Sequence, residues 1–383
     1  MKKIFVTYNN IVSSLGFDTV SNIENISREV SGIKRIDNEK LLREPFYSSL
    51  LDTEKLDVAF QKIGVSSEYT RLEKMMILSL QDVIKQSNIP LDAKTGFIIS
   101  TTKGNVDVLD EDSKFSKERA YLSELGKQIQ QFLGLQNEAV IISNACVSGI
   151  MAVSVAKRMI ESKLYNHVLI VSGDVVSEFI LSGFQSFQAI SDAPCKPFSK
   201  NRTGINIGEA AASVLVTSNS DYLSNDAVQI LGDASCNDAN HISGPSRTGE
   251  GLYRSMESAF EEANIETDQV DYVSLHGTAT NYNDEMEAIA LNRMHLENVP
   301  VNSLKGYYGH TLGASGLLET IVGMQSLYNN ILYASYGFDE LGVSQSINII
   351  KKTESKELTV FLKTASGFGG CNTAVLFKKI KNK

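Results

Sequence analysis

The sequence lacks the features that mark a membrane protein, a disulfide scaffold or a zinc site. No run of eighteen apolar residues occurs, so we expect no membrane-spanning helix. The four cysteines include no Cys-x-x-Cys pair, which argues against a structural zinc site and a disulfide framework. Residues 1–7 are too short in apolar length for a signal peptide and predict a first strand. Because free thiols persist in a reducing compartment, we expect a cytoplasmic protein.

Positive charge is also scarce. The 36 lysines and arginines are outnumbered by 45 aspartates and glutamates, which gives a formal net charge of −9. Nucleic-acid-binding proteins neutralise phosphates with basic surfaces, so this balance argues against general nucleic-acid binding. An acidic protein partner would have to dock on a local basic patch. The remaining composition, 42% hydrophobic and 21% charged, is that of an ordinary globular protein.

Apolar strands alternate with amphipathic helices along the chain, which indicates an α/β protein. Residues 168–173 form an apolar run of the kind found in parallel sheets covered on both faces. A polar segment, 217–226, is the expected seam between an N-terminal half at 1–222 and a C-terminal half at 223–383. The other predicted elements are a turn near 8–10, helices over 69–86, 150–162, 251–263, 285–294 and 313–328, and closing strands over 358–363 and 373–377.

Cys146 lies in the stretch around which the rest of the sequence is organised. The β-branched residues 140–142 predict a short buried strand, and 150–162 predict an amphipathic helix. We therefore expect Cys146 at the corner between them, beside backbone N–H groups that have no partner within the helix. The positive end of the helix dipole favours a thiolate, the nucleophilic form of cysteine. On this stretch alone, a buried structural cysteine explains the pattern equally well.

Three further stretches place polar or glycine residues directly after apolar strands. They are 274–280, with His276, Thr278 and Thr280 and then Asp284 and Glu287; 302–316, with Lys305 and His310 and then Glu319; and 367–372, which begins Gly-Phe-Gly-Gly. Ligand sites of open α/β sheets lie at the carboxyl ends of strands, so we expect these loops to converge. Each one alone has a simpler explanation, namely a turn histidine, a helix N-cap, a surface lysine or a tight glycine turn.

One thiol and two imidazoles suit acyl transfer followed by carbon–carbon bond formation. The thiolate can accept an acyl group as a thioester while backbone N–H groups stabilise the oxyanion. The histidines can then hydrogen-bond the enolate oxygen that forms when a second, carboxylated thioester loses carbon dioxide. Each well-placed donor of this kind is worth about 3–4 kcal/mol.

Taken together and in this order, the four stretches resemble the β-ketoacyl-acyl carrier protein synthases, the elongating condensing enzymes of the thiolase-like superfamily. The resemblance covers the chain from about residue 94 to 377. It implies a layered α-β-α-β-α fold of two similar halves. The half at 1–222 would carry the nucleophilic cysteine, and the half at 223–383 would carry both catalytic histidines.

The resemblance also implies a role for individual residues. Cys146 would be the acyl-accepting nucleophile, His276 and His310 the decarboxylation pair, and Lys305 the supporting lysine. The other implied assignments are Glu319 as the acidic companion of the lysine, Phe368 as the gate whose backbone N–H joins that of Cys146 in the oxyanion hole, and Thr278, Thr280 and Gly369 as substrate-binding residues. No metal is implied.

Several positions depart from the family pattern. Residues 7–10 replace an early Thr-Gly-x-Gly turn, Ser199 stands where an aspartate is usual, and Ser366 replaces the phenylalanine that normally precedes Gly-Phe-Gly-Gly. The stretches 104–139 and 182–194 are shorter than in typical fatty-acid enzymes. This trimmed form resembles synthases of specialised pathways, such as aryl polyene assembly.

The expected partner is an acyl carrier protein, which would carry the substrates on phosphopantetheine, so that no separate cofactor is needed. Arg71 and Lys74, on the polar face of the predicted helix over 69–86, match a basic docking position of the family. The resemblance implies a homodimer, or a heterodimer with a chain-length-factor-like subunit. Two alternatives stay open, a thiolase-like coenzyme A acyltransferase and a non-catalytic partner subunit.

Overall fold

The computed structural model of the protein describes residues 2–64, 69–239 and 244–380. Within these ranges the chain forms ten α-helices and sixteen β-strands. The helices are α1 Thr19–Ser27, α2 Thr53–Gln61, α3 Arg71–Ser87, α4 Leu122–Leu133, α5 Ser148–Glu161, α6 Glu178–Ser186, α7 Glu250–Ala263, α8 Asn281–Arg293, α9 Lys305–Tyr308 and α10 Ser315–Asn329. The strands are β1 Ile4–Ser13, β2 Lys34–Ile36, β3 Phe46–Ser49, β4 Thr95–Ser100, β5 Val140–Ile142, β6 His167–Asp174, β7 Ile207–Gly208, β8 Ala210–Thr217, β9 Val228–Asn237, β10 Tyr272–Ser274, β11 Pro300–Asn302, β12 Ile331–Leu332, β13 Asn348–Ile349, β14 Glu354–Ser355, β15 Val360–Ser366 and β16 Cys371–Lys379.

Eleven of these strands join in one sheet, in the order β13-β11-β10-β15-β16-β9-β1-β8-β6-β4-β5. In the N-terminal half, β5, β4 and β6 are parallel, and β8 and β1 complete the half in antiparallel pairs. The C-terminal half repeats this arrangement with β11, β10 and β15 parallel and with β16 and β9 antiparallel. Numbered in chain order within each half, both halves read 3-2-4-5-1, with β13 added at one edge. The two similar halves predicted from the resemblance are therefore confirmed.

Helices α5 and α10 form the central layer between the two halves. They pack against each other and contact strands of both halves. Their crossing is close, because a Cβ added at Gly149 would lie 2.7 Å from the backbone nitrogen of Leu317, and one at Gly316 would lie 2.7 Å from that of Ile150. This approach brings the loops at the starts of α5 and α10 together.

The outer layers complete the α-β-α-β-α arrangement. Helices α3 and α4 cover the N-terminal strands with a core that includes Met76, Leu80 and Ile129. Helices α7 and α8 cover the C-terminal strands with Met256 and Leu291. None of the helices in the described ranges is both long and apolar enough to span a membrane.

The predicted turn near residues 8–10 is wrong. These residues continue β1, where the pairing with β8 shifts between Thr7 and Asn9 and Tyr8 has a φ of +33°. The two asparagines that suggested a turn instead bind the start of α1, since Asn9 Oδ1 accepts from the Thr19 hydroxyl and Asn10 Oδ1 accepts from the Thr19 backbone N–H. The other predicted helices and strands are present, with ends that differ by a few residues.

Candidate active site

Cys146 lies at a tight corner between β5 and α5. Its neighbour Ala145 has a φ of +43°, a left-handed conformation that costs a non-glycine residue about 1–2 kcal/mol. Ser148 holds the corner, since its hydroxyl donates to the Ala145 carbonyl at 2.7 Å and accepts from the Asn144 backbone N–H at 2.8 Å. Cys146 therefore lies just before the first turn of α5, as the sequence predicted.

His310 approaches the sulfur from the C-terminal half. Its Nδ1 accepts a hydrogen bond from the backbone N–H of Leu312 at 3.2 Å. Because Nδ1 accepts, the neutral ring carries its proton on Nε2, which lies 2.9 Å from the Sγ of Cys146. His310 thus presents an N–H donor to the sulfur and to any oxygen bound beside it.

Asp174, at the end of β6, fastens the loop after His310 to the N-terminal half. Its carboxylate accepts from the backbone N–H of Gly313 at 2.7 Å, and also from the Thr101 hydroxyl and the Thr102 N–H. The side chain is fully buried, so these bonds replace its hydration. The position of His310 therefore depends on contacts that cross between the halves.

His276 follows β10, and two carboxylates of α8 hold its loop. Glu287 accepts from the backbone N–H groups of His276 and Gly277 at 2.8 and 2.7 Å, one on each oxygen. Asp284 accepts from the N–H of Thr278 at 3.0 Å. The imidazole lies edge-on to that of His310, with 5.1 Å between ring centroids.

Lys305 supports His276 from behind. Its Nζ lies 3.4 Å from Nδ1 of His276 and 2.7 Å from Oε1 of Glu319. An ammonium group can only donate, so Nδ1 accepts and the His276 proton is also on Nε2. The second oxygen of Glu319 is 2.7 Å from the Nζ of Lys363, which is fully buried.

Burial dominates protonation at this site. It raises the pKa of the Cys146 thiol to about 12 and holds the pKa of both His276 and His310 well below the ordinary histidine value. The positive charges of Lys305 and Lys363 lower both histidine pKa values further. A thiol and two neutral imidazoles are therefore the resting forms. At Cys146, burial therefore opposes the thiolate that the positive end of the helix dipole favours.

A cavity of about 310 Å³ has Cys146, His276 and His310 in its wall and opens beside the exposed Tyr282. Thr278 and Thr280 line it as well, with their hydroxyl oxygens 2.7 Å apart. Among the described residues that line this cavity, Gly369 is not found, so its predicted contact with substrate is not supported.

Phe368 lies at the mouth of the cavity within an aromatic cluster. Its ring centroid is 5.7 Å from that of Phe184 and 5.2 Å from that of Phe187, both contributed by α6 and the residues after it. The preceding Gly367 leaves no room for a side chain, since an added Cβ would lie 3.0 Å from the backbone nitrogen of Cys146. The loop that carries Phe368 therefore lies directly against the cysteine corner.

The side chains of Cys146, His276 and His310 are close enough together to share a metal ion. One sulfur and one nitrogen of each imidazole lie within 4.8 Å of one another, a spacing that a zinc ion can share. Both imidazoles, however, accept through Nδ1 and direct Nε2–H into the cavity. Two N–H donors suit a negatively charged oxygen and do not suit a cation.

Arg71 and Lys74 do not form the open basic face that the sequence predicted. The Arg71 guanidinium pairs with the buried carboxylate of Glu209 and also donates to the carbonyl of Leu51. Lys74 pairs with Asp57 at 2.6 Å. Their side chains are only 23% and 16% exposed, because the neighbouring elements cover this face of α3.

The comparison with known families decides the identity of the fold. The model of the β-ketoacyl synthase N-terminal domain matches residues 1–222, and the model of the C-terminal domain matches residues 228–339. The chain belongs to the β-ketoacyl synthase family. It is 26% identical to the 3-oxoacyl-[acyl-carrier-protein] synthase 2 of Vibrio cholerae, over 99% of this chain and 94% of that protein. It is 25% identical to a putative mitochondrial 3-oxoacyl-[acyl-carrier-protein] synthase of Schizosaccharomyces pombe, over 99% of each chain.

Solved structures agree with this assignment of the fold. A ketosynthase from Xenorhabdus doucetiae, determined in complex with its chain length factor, superposes with a TM-score of 0.87 at 22% identity over 98% of each chain. The ishigamide ketosynthase/chain length factor gives a TM-score of 0.88 at 19% identity, over 99% of this chain and 100% of that one. The predictions of the family, the thiolase-like fold and an acyltransferase enzyme are therefore confirmed. The protein is a condensing enzyme of fatty-acid or type II polyketide type.

Four residues near the reacting atoms of this β-ketoacyl synthase were not found from its sequence. They are Asp174, Phe184, Phe187 and Lys363. Phe184 and Phe187 belong to the stretch 182–194, whose only unusual feature in the sequence is its short length. Lys363 is the last residue of a predicted strand, and one lysine at a strand end gives no signal that it is buried.

Proposed function

We propose that this β-ketoacyl synthase catalyses the decarboxylative condensation of malonyl-carrier protein with an acyl group held on Cys146. The 2.9 Å contact between the Cys146 sulfur and the His310 Nε2 carries this proposal. His276 adds a second imidazole in the wall of the same cavity. A nucleophile beside two N–H donors is the arrangement that acyl transfer and enolate formation both need.

In the first half-reaction, the Cys146 sulfur attacks the carbonyl carbon of an acyl-carrier thioester. The new carbon–sulfur bond replaces the bond to the pantetheine sulfur, which leaves and takes the proton that Cys146 gives up. Since burial disfavours a free thiolate, this proton leaves as the attack proceeds. The backbone N–H groups of Cys146 and Phe368 would hold the oxyanion.

In the second half-reaction, the malonyl group of malonyl-carrier protein enters the cavity that the first carrier has left, and it loses carbon dioxide. The electron pair of the broken carbon–carbon bond forms an enolate, whose oxygen accepts from Nε2–H of His276 and of His310. The enolate carbon attacks the acyl thioester, the Cys146 sulfur leaves and takes a proton from water, and 3-oxoacyl-carrier protein departs. Lys305 and Glu319 would keep His276 in the orientation that this step requires.

The partner that we propose is an acyl carrier protein, whose phosphopantetheine would pass Thr278 and Thr280 on its way to Cys146. One structural relative is described as a type II polyketide ketosynthase in complex with its acyl-carrier protein. Another is described in complex with a chain length factor. These descriptions support a carrier-protein partner and a dimer, formed with a second copy or with a chain-length-factor-like subunit.

For the acyl group we propose a flat, conjugated or aromatic chain, as in aryl polyene-type assembly. The support is the cluster of Phe184, Phe187 and Phe368, whose side chains line the same cavity as the reactive Cys146. Aromatic side chains pack well against planar π systems. A saturated fatty-acid chain would gain less from three rings in this position.

The test is intact-mass analysis of the protein after incubation with acyl-carrier proteins that bear saturated, polyunsaturated and aryl groups, followed by malonyl-carrier protein. We expect an acyl adduct on the wild type that disappears with release of carbon dioxide, and none on Cys146→Ala. Transfer to coenzyme A without carbon dioxide release would instead identify a thiolase-like acyltransferase. A Cys146 that takes no acyl group and resists iodoacetamide would identify a non-catalytic subunit.

A further inference from the structure

Lys363 in β15 has an unusual environment for a lysine. Its side chain is completely buried, and its Nζ donates to the carbonyl oxygens of Ser274, Leu275 and Thr364 at 3.2, 3.3 and 2.8 Å. Lysine is almost never fully buried unless it is paired. Here the pairing partner is Glu319, at 2.7 Å.

Two of these contacts lead directly to a catalytic group. Ser274 ends β10, Leu275 follows it, and His276 is the next residue. The Lys363 ammonium therefore binds the last two carbonyl groups before the imidazole. On its other side it shares the Glu319 carboxylate with Lys305, the residue that faces Nδ1 of His276.

We propose that Lys363 is a positioning residue of the condensing site, which fixes both the strand end that carries His276 and the carboxylate that orients Lys305. This inference rests on the proposed decarboxylative function for its kinetic consequence. Its structural consequence does not depend on that function, since the charge of Lys363 acts on the imidazoles with or without substrate.

The charge of Lys363 has a second effect, because it adds to the positive potential at the histidine pair. Protonation of either ring would place a hydrogen on Nδ1, where it would meet the Leu312 N–H or the Lys305 ammonium, both of which are donors. Lys363 thus helps to keep the imidazoles neutral, in agreement with its part in lowering both histidine pKa values. The charged and titratable groups around the two rings are Cys146 before α5, Asp174 in β6, Asp284 and Glu287 in α8, Lys305 in α9, Glu319 in α10, Lys363 in β15 and Cys371 in β16.

The test compares Lys363→Gln and Lys363→Met with Thr364→Val. Gln keeps amide donors for the carbonyl groups but removes the charge, whereas Met removes both. Thr364→Val is the matched control, since it is a buried neighbour on the same strand whose hydroxyl has no hydrogen-bond partner among the described residues. Carbon dioxide release from malonyl-carrier protein is measured between about pH 4 and 9, and thermal unfolding at each pH shows whether each variant is folded.

Removal of a positive charge raises the pKa of a nearby imidazole, so the acid limb of the pH profile should move to higher pH, by about 1 unit in Lys363→Gln. Thr364→Val should overlay the wild type. A folded Lys363→Gln with the wild-type profile and rate would overturn the inference. If the wild type itself releases no carbon dioxide, the proposed function fails instead.

A second measurement needs no substrate. The sequence contains five histidines, so the ring signals of ¹³C-labelled histidine can be followed by NMR across the same pH range. The signals of His276 and His310, assigned by substitution, should titrate at higher pH in Lys363→Gln than in the wild type. Identical titration in both proteins would refute the role of Lys363 whether or not the enzyme decarboxylates malonyl groups.

Discussion

The Nε2 of His310 lies 2.9 Å from the Sγ of Cys146, although 164 residues separate them in the chain. Each residue comes from a different half, and each lies in a loop held by a hydrogen bond from a backbone N–H to a side chain. The pair forms because α5 and α10, which start beside these loops, cross at their glycines. Nucleophile and donor therefore depend on one packing contact at the centre of the fold.

We expect His310→Ala to separate the two half-reactions. Cys146 should still accept an acyl group, because the backbone oxyanion donors are unchanged. Carbon dioxide release should fall by about 10²- to 10³-fold, the usual cost of one lost oxyanion donor. Intact mass reports the first step and isotope-labelled carbon dioxide the second. Normal release from this variant would contradict the role that we assign to His310.

We expect the stability of the protein to depend on Glu287 in a pH-dependent way. Burial raises the pKa of its carboxyl to about 7, so the folded state binds more protons than the unfolded state between about pH 4.5 and 7. Its contribution to the free energy of unfolding is therefore largest in acid and is lost as the pH rises through 7.

Glu287→Gln should remove this part of the pH dependence and cost about 1–3 kcal/mol, because one loop N–H loses its acceptor. Urea unfolding of both proteins between pH 4.5 and 8 gives the comparison. Glu285→Gln, on the same helix but only partly buried, is the control. Parallel curves for wild type and Glu287→Gln would show that the carboxyl is already ionised across this range.

We expect Arg71→Ala to reduce stability more than it affects partner binding. The substitution leaves the buried Glu209 carboxylate without its ion pair, which costs about 3–5 kcal/mol. Lys74→Ala removes a pair with the partly exposed Asp57 and should cost about 0–1 kcal/mol. Thermal unfolding measures both. If both variants keep wild-type stability and only raise the KM for acyl-carrier protein, the result would support the docking role suggested by the sequence.

We expect Phe187→Ala to weaken the preference for conjugated or aryl acyl groups. A lost aromatic pair costs about 0.5–1.5 kcal/mol, so the ratio of kcat/KM for an aryl over a saturated chain should fall about 2- to 10-fold. Phe179→Ala is the control, since this exposed ring is on α6, which ends just before Phe187, but is not among the residues that line the cavity. An unchanged ratio would argue against the proposed acyl class.

The sequence predicted the groups that follow strands more successfully than the groups that pair across the fold. Cys146, His276, His310 and Lys305 each lie in a short motif after an apolar run. The structure places the first three in the wall of one cavity and Lys305 behind His276. Local pattern and resemblance were sufficient to predict these four residues, because loops at the carboxyl ends of strands lie close together in α/β folds.

Local patterns offer no such guide for charged residues whose partners are distant in the chain. Arg71 looked exposed because its helix is amphipathic, yet its partner Glu209 is 138 residues away. Lys363 is joined to Glu319 from another element, and Asp174 to Gly313 from the other half. A single sequence carries no record of these pairings, so burial of the charge could not be inferred.

Strands β1 and β9 join the two halves through three residue pairs, Ile4–Ile230, Phe5–Gln229 and Val6–Val228. Amide hydrogen exchange at these positions would measure how often the halves come apart. Each such opening would separate the thiol from its imidazoles. The catalytic rate therefore depends on the fraction of molecules in which the two halves are docked.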